Sequence, residues 1–236
     1  MARNAFGMGR VMAAVGGVGV GAARAVGATV LPILFAITLH EVAHGWAALR
    51  LGDTTAWQQG RLTLNPLAHI DPIGTIIVPL VLYFTAGFIF GWAKPVPVSM
   101  HRLPNPRRDM AFVALAGPLA NFVMATGWAL VMALGAWLSH VLPELGQPLF
   151  FMGSAGIGVN VVLAVLNLVP LPPLDGSRVL AAVLPARVGV QLYRFEQAGL
   201  ILLVVLMATG VLGRVIGPIV EAVQQFYLWI VASLFG

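Results

Sequence analysis

Apolar residues in this chain fall into long unbroken blocks, without the period-two alternation of a half-buried strand or the single stripe of a soluble amphipathic helix. Residues 27–51, 73–92, 110–138, 148–170 and 192–212 each supply roughly the 20 apolar positions that carry a helix across a bilayer. A further block, 215–235, is interrupted by Glu221, Gln224 and Gln225 and reads either as a span or as an amphipathic helix lying along the interface. Ahead of them, Arg3 and Arg10 introduce a glycine-rich run that Arg24 breaks, with no clean cleavage site. Residues 1–26 read as a weak N-terminal span or an interfacial helix.

Two polar connections are long enough to carry structure. In 52–72, Leu62 and Leu64 alternate with Arg61, Thr63 and Asn65, which predicts a short strand, one half of a membrane-associated β-hairpin turned at Gly60. In 93–109, Pro95, Pro97, Pro104 and Pro106 force an extended, irregular path. The expected fold is an all-α polytopic membrane protein of about five to six transmembrane helices, with a re-entrant segment and that hairpin.

Composition narrows the class. Of 236 residues, 59% are hydrophobic and 9% charged, too few charges to cover a soluble surface of this size. A single membrane-embedded domain over 1–236 is expected, with a catalytic core at 27–178 and C-terminal helices at 179–236. The net charge of +5 is explained by basic residues retained in cytoplasmic loops, so nucleic acid is not an expected partner. Cysteine is absent, which excludes disulfides, thiolate ligands and a cysteine nucleophile.

Candidate chemistry begins with His40-Glu41-Val42-Ala43-His44 inside the first strong block. Residues four apart share a helix face, so both imidazoles can reach one tetrahedral ion. Glu41 lies about 100° round from His40 and about 60° from His44, beside such an ion and free to move a proton. Two core histidines and a surface glutamate would be the bland alternative. A carboxylate in mid-span, however, costs about 2.5 kcal/mol or more unless a cavity or partner receives it.

A catalytic zinc needs a third protein ligand and an open position. His69, His101, His140, Glu196, Glu221 and several aspartates are available. Asp175 stands out because Pro170, Pro172 and Pro173 hold the chain extended just ahead of it, and irregular backbone at membrane depth belongs beside a wet cavity. A simple helix cap is the alternative role for Asp175.

Three motifs occur in order: His40 to His44; Gly117-Pro118-Leu119-Ala120-Asn121; and Asn167 through Leu174-Asp175-Gly176. Together they resemble the site-two protease family of intramembrane zinc metalloproteases, peptidase family M50. The stretches 61–72 and 90–98 look like its compact branch without an added sensor domain. The resemblance implies one Zn2+ per chain held by His40, His44 and Asp175, with Glu41 as the base. It implies Asn167 as a catalytic residue contacting the scissile carbonyl and Asn121 as a supporting helix-packing residue.

A threading argument follows. His40 and His44 lie toward the end of their helix and Asp175 just past the end of another, so both helices must run the same way. The 73–92 block would then be re-entrant, and most basic residues collect on the cytoplasmic side of a prokaryotic cell membrane, toward which the site opens. The expected activity is zinc-dependent endopeptidase cleavage of membrane proteins or membrane peptides, in or near their transmembrane segments. A membrane metal-ion transporter would need ligands along a route, and a catalytically silent binding partner would not need Glu41.

Overall fold

The computed structural model describes residues 21–87 and 90–235. The expected weak first span over 1–26 therefore falls largely outside the described residues. Helix α1 (Gly21–Arg50) leads to a one-turn helix α2 (Thr55–Gln58). A short dip follows, built from a π-helical turn (Pro72–Ile77) and α3 (Val78–Ala86). The long helices α4 (Pro106–Leu138) and α5 (Pro143–Asn167) come next. The short α6 (Asp175–Val183), α7 (Ala186–Arg194), α8 (Glu196–Ala208) and α9 (Val211–Phe235) complete the chain.

Four described helices are long and apolar enough to cross a membrane, within α1, α4, α5 and α9, and α7 with α8 would make a fifth if that 68° bend is one broken span. Side-chain contacts set their directions. Along α1, Ala36, His40 and His44 meet Asn121, Asn121 and Val113 of α4, so the two run antiparallel. Gly153 and Gly135 bring α4 and α5 into backbone-close contact, again antiparallel, because small residues let helices approach in lipid, and Gly156 makes room for the Trp128 ring. Helices α1 and α5 thus run in one direction, both antiparallel to α4, and they also pack on each other. The face of α9 bearing Tyr227 and Val231 closes the core against Ala125, Ala129, Ile157 and Val161.

The dip from Pro72 is only a few turns long. Gly87 takes a left-handed conformation (φ 72°) that ends α3. The chain then comes back until the Trp92 amide donates to the Gly74 carbonyl at 3.0 Å and Trp92 accepts from the Thr75 hydroxyl at 2.9 Å. Its two ends therefore lie side by side. Asp71 caps the entry by accepting from the Ile73 and Gly74 amides, the latter foremost in holding its carboxyl below the usual carboxylate range.

The β-hairpin expected around Gly60 is absent: the described residues contain no strand. Residues 61–65 form no ladder, and several of their polar groups are engaged elsewhere: the Arg61 amide donates to the Ala56 carbonyl at 2.9 Å. His69 Nε2 bonds the Thr63 carbonyl, the Asn65 amide donates to the Thr63 hydroxyl, and the Arg61 guanidinium reaches the Lys94 carbonyl. The neighbouring extended stretch spends its own amides elsewhere, and Pro66, Pro95 and Pro97 have none to offer. Leu62 is partly buried but Leu64 is 64% exposed, so the alternation neither created a ladder nor marked a face turned to the body.

Candidate metal centre

Three side chains from two distant parts of the chain converge among α1, α4 and α6. His40 and His44 project from one face of α1, and Asp175 begins α6, just after the proline-rich turn that ends α5. Their nearest donor atoms are 3.0 Å (His40 Nε2 to His44 Nε2), 3.2 Å (His40 Nε2 to Asp175 Oδ2) and 3.3 Å (His44 Nε2 to Asp175 Oδ2). All three residues are 8% exposed, so neighbours rather than bulk water set the geometry.

Each imidazole is oriented from behind. His44 Nδ1 lies 2.7 Å from the Val113 carbonyl, an oxygen that can only accept, so Nδ1 carries the proton and Nε2 presents its lone pair. His40 Nδ1 donates to Asn121 Oδ1 at 2.6 Å. Asn121 is held in that sense because its amide donates to the Ala36 carbonyl (3.2 Å) and to Asn160 Oδ1 (2.9 Å). Asn160 in turn donates to the Gly156 carbonyl at 2.9 Å. Both asparagines are fully buried.

Two nitrogen lone pairs and a carboxylate oxygen thus point at one another. Among the described residues Asp175 Oδ2 is buried without a hydrogen-bond partner, an arrangement that is costly unless a cation sits among the three. A tetrahedral ion with bonds of about 2.0–2.1 Å has ligand-to-ligand edges of about 3.3 Å, so the separations fit zinc. Among the described residues this is the group of His, Asp and Glu side chains suited to a metal. It is one compact cluster, unlike the distributed ligands of a transport route.

Local sequence explains the approach. A Cβ on Gly117 would lie 2.5 Å from His44 Nε2, so the glycine of the Gly-Pro-x-x-Asn motif clears room for the imidazoles and Asn121, a turn later, orients one of them. Gly176 serves close approach, since a Cβ there would lie 2.3 Å from the Leu168 carbonyl. Arg107, in the first turn of α4, donates to the Ala181 carbonyl at 2.9 Å and to the Leu184 carbonyl, fastening the far end of α6.

Glu41 stands beside this cluster, half-buried, with Oε2 accepting from the Val96 amide at 2.8 Å. Asn167 does not join the cluster by hydrogen bonds; its amide donates to the Leu163 carbonyl one turn back in α5. His69 is buried under the 61–65 stretch, while His101 and His140 lie away from the three donors. Asn160 was missed in the sequence, although a polar amide in the middle of an apolar span is itself a signal. Val113 and Val96 act through backbone groups that no side-chain pattern reveals.

Partners of metal-binding histidines typically contribute tenfold to hundredfold in affinity. Asn121→Ala should therefore weaken zinc binding by about that factor, and Asn160→Ala should move it less in the same direction. Competition titration against a chromogenic chelator checks both, and unchanged affinity in Asn121→Ala would remove the asparagine from the site.

Comparison with known proteins points the same way. The sequence model of the family described as Peptidase family M50 matches residues 139–211, the stretch holding Asn160, Asn167 and Asp175. A Bacillus subtilis protein provisionally named zinc metalloprotease YwhC is 36% identical over 207 residues, covering 87% of this chain and 91% of its own. A Mycolicibacterium smegmatis protein provisionally named zinc metalloprotease Rip2 is 34% identical over 182 residues, covering 77% of this chain and 66% of its own. A Methanocaldococcus jannaschii protein provisionally named zinc metalloprotease MJ0611 is 30% identical over 141 residues, covering 60% and 62%. No solved structure matches the chain.

Proposed function

This chain belongs to peptidase family M50, the site-two proteases, and on that premise we propose that it cuts membrane proteins in or beside their transmembrane segments, with Glu41 as the proton-transfer group. It is an integral membrane zinc metalloprotease. The observation that carries the finer reading is the convergence of three lone-pair donors within 3.0–3.3 Å next to a carboxylate with one oxygen free of hydrogen bonds among the described residues.

His40, His44 and Asp175 would hold the metal. Zinc there supplies a Lewis acid that acidifies water and polarises the scissile carbonyl. Glu41 receives the proton of the attacking water and returns it to the departing amine, so the same carboxylate serves as base and then acid. Asn121 and the Val113 carbonyl keep both imidazoles turned toward the reacting centre throughout. Asn167 is assigned to the developing oxyanion: its amide donates to the Leu163 carbonyl, and its second amide hydrogen has no partner among the described residues. Donors of that kind are typically worth about 2.7–4 kcal/mol in the transition state. A helical substrate hides its carbonyls in its own hydrogen bonds, so cleavage requires local unwinding.

The assay pairs zinc quantification with cleavage of a panel of membrane-protein substrates by purified protein in liposomes. Product that depends on zinc and maps to a transmembrane or flanking bond supports the assignment. A zinc-loaded protein that cuts only soluble peptides far from any span would sink it.

The site is assigned to the cytoplasmic side, on the distribution of basic residues in the connections around it. Gln59 and Asn105 are exposed and lie on either side of the dip, in a chain without cysteine. Gln59→Cys and Asn105→Cys should both resist a membrane-impermeant thiol reagent in intact cells and react after permeabilisation. Labelling of the two from opposite sides would refute this topology.

A further inference from the structure

We infer that the backbone amide of Val96, presented by a pinned extended strap, is the group that positions the Glu41 carboxylate for proton transfer. The inference rests on the protease reading of the site and adds to it a positioning element outside the three motifs.

The strap is the stretch from Trp92 to Ser99. In an extended chain successive amides face opposite edges. Those of Trp92, Lys94 and Val96 all face the body of the protein, donating to the Gly74 carbonyl (3.0 Å), the His69 carbonyl (2.9 Å) and Glu41 Oε2 (2.8 Å). On the opposite edge, Pro95 and Pro97 have no amide hydrogen, which leaves Val96 as the single donor between them. Arg61 clamps the outer course of the strap through the Lys94 carbonyl at 2.9 Å and the Pro95 carbonyl at 3.4 Å. Beyond the prolines, the Ser99 amide donates to the fully buried carboxylate of Asp53 at 2.6 Å. Thr55 holds that carboxylate in place through its amide and hydroxyl.

The strap also has a seat on the catalytic helix. A Cβ at Gly45, one turn beyond Glu41, would lie 2.8 Å from Val96 Cγ1 and 2.5 Å from Leu62 Cδ2. The missing side chain lets Val96, itself 7% exposed, lie against α1 close enough for its amide to reach the carboxylate. One oxygen of Glu41 is thereby fixed, while the other has no hydrogen bond among the described residues and remains for the water. A long, flexible side chain becomes a base with a set direction without a second charged group beside the metal. That arrangement suits a proton shuttle, because holding the base in line removes reorientation from the reacting step.

The test compares full-length zinc-loaded protein in liposomes carrying Val96→Pro, Val96→Ala, or an ester at the main-chain link before residue 96, introduced as the α-hydroxy analogue of valine. The ester removes the amide hydrogen while keeping side chain and backbone path, so it decides the matter even if Val96→Pro folds poorly. Loss of a hydrogen bond to a charged group predicts a fall in kcat of about tenfold to hundredfold in the ester and in Val96→Pro, with KM and zinc content unchanged. Val96→Ala, which keeps the amide, should lose far less. An infrared carboxylate band that disappears in Glu41→Gln should shift in the ester protein, a readout independent of turnover. An active wild type matched in kcat by the ester, or a band that does not move, would overturn the role of the strap. Faster cleavage by the ester would overturn it too, showing the contact to be a restraint on Glu41. A zinc-loaded wild type that cleaves no membrane substrate would instead sink the protease reading, leaving the infrared result to judge the hydrogen bond alone.

Discussion

Glu41→Gln is expected to leave zinc bound and to lower cleavage by about 10²- to 10⁴-fold, the range of a lost general base and acid. Glutamine has nearly the same shape, and its carbonyl oxygen can still accept from the Val96 amide, so the strap contact at 2.8 Å can survive the change. What is lost is the ability to take up a proton. Because Glu41 is not one of the three converging donors, metal content should stay at the wild-type level. Zinc measured by elemental analysis and initial rates measured on the same preparation check both halves. Substantial cleavage by metal-loaded protein would assign the proton transfer to another group.

The second large effect is on the metal itself. Asp175→Ala removes one of three donors, the one whose Oδ2 lies 3.2 Å and 3.3 Å from the two imidazole nitrogens. Outer-shell partners already contribute tenfold to hundredfold, so loss of a direct ligand should exceed hundredfold in zinc affinity, and cleavage should fall with occupancy. His101→Ala is the control: His101 is exposed in a short helical turn outside the cluster, and its removal should leave zinc affinity unchanged. Equal affinity in wild type and Asp175→Ala would place the third ligand elsewhere. Arg107 offers a softer perturbation of the same position, since it anchors the far end of the helix that Asp175 begins.

Much of this architecture can be read one residue at a time. Apolar blocks of sufficient length mark α1, α4, α5 and α9 because a bilayer imposes a length on any helix that crosses it. The 192–212 block has the hydropathy of one span, but it runs from the end of α7 through α8 to the start of α9, and α7 meets α8 at 68°. Hydropathy counts residues and carries no information about bends. The 73–92 block has the same hydropathy as a span, yet its ends meet through Trp92 and Gly74. The re-entrant path expected from the parity of the histidine helix and Asp175 is a statement about membrane sides, which labelling of Gln59→Cys and Asn105→Cys tests.

The lipid solvent of the fold, the spacing that puts His40 and His44 on one helix face, and the proline-broken turn that leads into Asp175 are all legible in the residues alone. Each is a property of covalent geometry or of a few consecutive residues, so each survives without tertiary information. Tertiary structure decided the rest. The strand at 61–65 failed because a ladder needs a partner from far along the chain, and the candidate partner had committed its amides to Gly74, His69 and Glu41. Asn160 became part of the site only when α5 packed on α4 and brought it to Asn121. The Val113 carbonyl and the Val96 amide belong to groups every residue carries, so their importance lies wholly in where packing places them, against His44 and Glu41.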